Sequence, residues 1–199
     1  MTTEENQFED DIEEIFDELP TLKSVAPFLA LAGNVHWFRT LGEDPDRETV
    51  QIARAYAEAL GFPNAEPGFL GDWEEAADAA ENTNINSAAW EAEEQLRAAI
   101  TDDALAVLDE QTLEMVMTHV AQGVSEAIEQ GATEAAQELR IFDEEFVRAT
   151  SGAAVQAAYQ AALAAMTGAE EDHPFVLRFQ LFEKGRWPIG IIGNSFLIF

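Results

Sequence analysis

The stretch HPFVLRFQLFEKGRWPIGIIGNSFLIF, residues 173–199, decides how the chain is read, because here a two-residue period replaces the helical one. Phe175, Leu177, Phe179 and Leu181 alternate with Val176, Arg178, Gln180 and Phe182, the spacing of a strand with one buried face. Glu183-Lys184-Gly185-Arg186 reads as a turn and Trp187 to Ile192 as a second strand. Gly193-Asn194 is a two-residue hairpin signal before a third strand from Phe196 to Phe199. Pro188 and Gly190 place the middle strand at a sheet edge or a bulge. The expectation is an antiparallel three-stranded β-meander over residues 173–199.

Immediately upstream, residues 149–169 carry no charge and include eight alanines between Ala153 and Ala165. In a chain this acidic, such a stretch predicts a buried central helix whose small residues let neighbouring backbones approach. It is too short and too rich in glutamine to cross a bilayer. Further upstream the period is helical. Leu113, Val116, Met117, Val120, Val124 and Ile128 trace one face of a helix from Glu110 to Gln130, which Gly131 ends. A following helix over 133–148 uses Leu139, Phe142 and Phe146. Ser87 or Asn86 caps a helix to Ile100, with another helical turn to Leu108. Trp73 to Ala80 is a short acidic helix, and residues 61–72, with two prolines and three glycines, read as a loop. Asp44-Pro45 opens a helix that Gly61 closes. Leu22 to Thr40 is an apolar helix.

Residues 1–20 hold nine acids and no base, with Phe8, Ile12, Ile15, Phe16 and Leu19 at helical spacing. They read as an acidic amphipathic N-terminal helix. The fold class that follows is mainly α. A single-domain bundle of about seven helices, with its helical body over 21–168, carries the small C-terminal meander.

The chain has 39 acidic residues against ten basic ones, of which only Lys23 and Lys184 are lysines, for a net charge of −29 over 199 residues. Self-repulsion on that scale destabilises a compact state in dilute buffer and is screened in molar salt. The composition points to the cytosol of an organism that accumulates salt. With 47% hydrophobic residues and 13 phenylalanines, it lacks the apolar poverty of disordered acidic chains. No basic stripe exists to displace counterions, which argues against nucleic acid and anionic membranes as partners. There is no cysteine, so disulfides and thiolate chemistry are excluded. The N-terminus lacks a signal-peptide pattern, and no run of 18 apolar residues occurs, so a soluble cytoplasmic protein is expected.

Chemistry-bearing motifs are sparse. There is no glycine-rich phosphate loop, dinucleotide fingerprint or nucleophile elbow. Glu114 precedes His119 by five positions, about 140° off the same helix face, so the pair lacks metal-ligand spacing. No metal and no cofactor are expected. His36, next to Trp37, reads as a helix end or a pocket wall. Arg178, Lys184 and Arg186 surround Trp187 in the only locally cationic region. They either balance acids on adjacent helices or form a recognition edge for an acidic partner or a carboxylate- or phosphate-bearing ligand. Two functions compete. One is an interaction or scaffold module that uses residues 175–199 for a protein partner or a homodimer. The other is a small-molecule or metal-dependent enzyme with a pocket between helices and sheet, lined by His36, His119, Arg186 and Trp187.

Overall fold

The structure, a computed structural model, describes residues 19–83 and 86–199. The expected N-terminal amphipathic helix lies outside them up to residue 18. After a 3-10 turn at Pro20–Ser24, the elements are α1 (Val25–Ala32), α2 (Arg47–Ala59), β1 (Glu66–Phe69), α3 (Trp73–Glu81) and α4 (Ala88–Leu105). They continue as α5 (Glu110–Leu139), α6 (Glu144–Thr167), α7 (Pro174–Glu183), β2 (Pro188–Ile192) and β3 (Ser195–Ile198). The protein is mainly helical with a small three-stranded mixed sheet.

The first strand expected in the tail is instead α7. Its apolar residues satisfy both periods, and the helical one sorts them by face. Phe175, Phe179 and Phe182 enter the larger apolar cluster, while Leu177 and Leu181 enter the smaller one. The ends settle the competition. His173 caps the helix by accepting the Phe175 N–H at Nδ1, and Pro174 occupies the first turn, where its missing N–H costs nothing. At the other end Arg186 N–H reaches the Leu181 carbonyl and Gly185 N–H the Phe182 carbonyl, with Gly185 left-handed at φ +75°. A side chain at Gly185 would also meet Thr40 N and Oγ1 at 3.0 Å, so this helix end seats on the 36–43 segment.

The meander is corrected in a second way. Strand order is β1-β3-β2, with β2 antiparallel and β1 parallel to the central β3. The hairpin turns at Gly193-Asn194, with Gly193 at φ +60°, and the register shifts between Pro188 and Gly190 as a bulge on an edge strand. The third strand comes from the segment read as a loop. Glu66-Pro67-Gly68-Phe69 has turn composition, but Pro67 lies on an edge, where its lack of a donor is tolerated.

Helix boundaries also move. α5 runs on through Gly131 to Leu139, because Gly131 meets a neighbour rather than a chain end: a Cβ there would lie 2.7 Å from Trp37 Cβ. Arg140, left-handed at φ 56°, makes the break, and α6 then runs unbroken from Glu144. The apolar helix expected through Thr40 ends at Ala32, and His36 to Arg39 lie in turns, with buried Phe38 held at φ 61°. Helix α6, uncharged from Ala149 onward, packs against α5, α7, α4 and α1, and Ala154, Ala158 and Ala162 are fully buried.

Candidate functional site

The three bases of the tail divide between two places: Lys184 and Arg186 face the 43–48 segment, and Arg178 faces α4. Arg178, on α7, points into the gap towards α4, where its Nη1 donates to Glu93 Oε2 at 2.6 Å. Glu93 also accepts the Tyr56 hydroxyl from α2, so one carboxylate joins three helices. Burial, the nearby Glu93 charge and their hydrogen bond all push the Tyr56 hydroxyl pKa well above its ordinary value, outweighing Arg178. Lys184 Nζ meets Glu48 at 2.5 Å. Arg186 is buried, donates to the Glu43 carbonyl at 2.8 Å and the Asp44 carbonyl at 3.2 Å, and lies over the Phe69 ring. It thus fastens β1 and the turn before α2 to the tail.

Trp187 is likewise interior. Its ring stacks on Trp73 with centroids 6.2 Å apart, and its backbone exchanges hydrogen bonds with Phe199 at 2.6 and 2.9 Å. His36 is exposed in a 540 Å³ groove between the 33–39 segment and α5, and that groove contains neither His119 nor His173. His119 is half-buried on α5, and His173 serves as the α7 cap. Among the described residues, no three carboxylate or imidazole groups gather in a way that could hold a metal ion. The groove that holds His36 does not include His119, Arg186 or Trp187, the other residues expected to line a pocket between helices and sheet.

Two other places have the shape of a site. A cavity of 140 Å³ lies between α4, α6, α7 and β2, with Arg178, Glu93, Trp90 and Gly190 in its wall. The second is an apolar corner where α5 turns into α6. Phe142 is 94% exposed there and Leu139 41% exposed, beside a 490 Å³ groove walled by Trp73, Ile141 and Phe199. Asp143 holds the corner together by capping α6 at the Glu145 N–H and accepting Trp73 Nε1 at 3.0 Å. The helical periodicity of Leu139, Phe142 and Phe146 concealed this corner. Only Phe146 is buried, and the intervening Arg140 turns the other two outward.

Comparison with protein families, with curated proteins and with solved structures returns no match to this chain. No helix among the described residues is long and apolar enough to cross a membrane.

Proposed function

We propose that the chain is a salt-adapted protein-interaction module whose docking surface is the α5–α6 corner. The observation that carries this reading is Phe142, almost wholly in solvent, next to Leu139 and an apolar groove. Single exposed apolar residues are ordinary, whereas a contiguous apolar patch with a polar rim marks a contact surface. The reading shifts the contact away from the sheet edges. Pro67 and Pro188 lie on the two edge strands, and most large apolar side chains of residues 175–199 are buried.

The rim sets the partner's chemistry. Asp72, Glu74 and Asp143 face the groove against Arg140 alone. A second copy would bring like charges together, so the fitting partner is another protein that offers an aromatic or leucine anchor flanked by lysine or arginine. Selection from a random peptide library against the protein in molar KCl tests this. Selected peptides should carry such an anchor and lose at least about tenfold in affinity to Phe142→Ser and Leu139→Ser variants, the size of loss expected for an interface anchor. Peptides indifferent to both substitutions would overturn the assignment. Concentration-dependent doubling of mass by light scattering, abolished by Phe142→Ser, would replace the basic partner with a second copy.

A further inference from the structure

The 540 Å³ groove between the 33–39 segment and α5 carries opposite charges on its two walls. Arg39 and His36 line it from the segment, and Glu134 and Glu138, one helical turn apart, line it from α5. The side chains of Arg39 and Glu138 are exposed and make no hydrogen bond or ion pair with any described residue. Glu134 is engaged only by the Gln130 amide, at 2.8 Å. In a chain of −29, a guanidinium that stays unpaired opposite two carboxylates is kept from them by the groove itself.

Both walls are fixed in place. Between His36 and Arg39, Trp37 and Phe38 are buried, and Phe38 is left-handed at φ 61°. That conformation costs energy in any residue but glycine and persists where the surroundings hold it. At the floor, Gly131 lets α5 press against the segment, since a Cβ there would lie 2.7 Å from Trp37 Cβ. The segment is thus anchored by its aromatic side chains, and the gap between Arg39 and the two glutamates does not close.

We propose that this groove binds a free α-amino acid with a cationic side chain, of the lysine or ornithine class. Its carboxylate takes the open guanidinium of Arg39, which can receive it through two parallel bonds, with His36 beside it. Its two ammonium groups lie along α5 at Glu134 and Glu138. The charges complement one another: one positive and two negative groups on the walls, one negative and two positive on the ligand. Residues four apart on a helix are separated by about 6 Å along its axis, comparable to the span between the two ammonium groups of extended lysine. The small floor residues Ala127, Gly131 and Ala135 leave room for the methylene chain. None of these residues belongs to the α5–α6 corner, so the site stands or falls independently of the docking surface.

A ligand-observed NMR titration of the whole chain in molar KCl tests the assignment with lysine and three analogues that each lack one charge. Norleucine lacks the side-chain ammonium, cadaverine the carboxylate and Nα-acetyl-lysine the α-ammonium. Lysine should bind in the range of about 1–10 mM, as suits a small ligand in an open, screened groove. Each analogue should bind about three- to fivefold more weakly, the size of effect an exposed ion pair supplies. Two variants locate the site, and both alter exposed side chains. Arg39→Gln should bind lysine no better than cadaverine. Glu134→Gln combined with Glu138→Gln should bind lysine no better than norleucine. Absence of lysine binding to the parent, an analogue that matches lysine on the parent, or variants that keep the parent's ranking would each overturn the proposal.

Discussion

Glu93 accepts from two donors at once, the Tyr56 hydroxyl and Arg178 Nη1, with its side chain 20% exposed and that of Arg178 10%. Its removal would leave a guanidinium buried without its charge partner. Glu93→Ala is therefore expected to destabilise by about 3–5 kcal/mol, measured by denaturant unfolding in molar KCl. Glu145→Ala removes a pair whose partners are 77% and 50% exposed, and is expected to cost at most about 1 kcal/mol. Equal losses would mean that burial does not set the strength of these pairs. His173 offers a second test at this scale. As the α7 cap its Nδ1 must be unprotonated to accept the Phe175 N–H, and partial burial lowers its pKa although Asp172 pulls the other way. The folded state then binds fewer protons than the unfolded one, so stability is full above the ordinary value of about 6.5 and falls as pH drops below it, towards the lowered pKa. Melting temperature should decline between about pH 7 and pH 5, and His173→Ser, which can cap without titrating in that window, should flatten the decline. An unchanged slope in that variant would remove His173 as the cause.

Among the elements, α6 and α7 divide what composition could and could not reveal. The uncharged run from residue 149 to 169 is mostly buried or half-buried, as its lack of carboxylates in so acidic a chain suggests. Ala158→Asp or Ala162→Asp places a charge where exposure is zero and is expected to cost about 3 kcal/mol or more. A parent-like melt for both variants would contradict this packing. Helix α7 was misread because an almost continuously apolar segment contains the strand period within the helical one. Only Pro174 at its start and Gly185 at its end separate the two, and both act through backbone geometry rather than hydrophobicity. Gly185→Ala tests that stop signal. It imposes a side chain at φ +75° and 3.0 Å from Thr40, for an expected loss of about 1–3 kcal/mol. β1 and the unbroken α5 were illegible for another reason. The pairing of Glu66-Pro67-Gly68-Phe69 is supplied by β3, about 130 residues downstream, and Gly131 answers to Trp37; neither partner is near in sequence. The candidate sites divide in the same way. Arg178 was visible as a cation in a cation-poor chain, but Glu93 lies 85 positions away and Phe142 looked like part of a buried stripe.

Across the whole molecule the balance of charge overrides every local pair. Ten basic residues face 39 acidic ones, and the ion pairs among the described residues, such as Lys184–Glu48 and Arg54–Glu66, engage only a few of those acids. The rest repel one another across the surface of a molecule whose main apolar cluster is rich in alanine and aromatic rings. Lowering salt from about 1 M to about 10 mM stretches the Debye length from about 3 Å to about 30 Å, enough for carboxylates on separate helices to feel one another. The penalty falls mainly on the folded state, because unfolding spreads the same charges over a larger volume. Unfolding should therefore become easier as salt is withdrawn, through loss of α-helix in a single cooperative step. Thermal melts followed by circular dichroism over that KCl range are expected to give a melting temperature that falls continuously, with helix already lost at ambient temperature at the lowest salt. Sodium chloride should substitute for potassium chloride, since the effect is one of screening rather than of ion recognition. A melting temperature constant across the range would remove salt adaptation as the explanation for the −29 charge. A rise with KCl that NaCl fails to reproduce would instead point to specific potassium sites among the carboxylates.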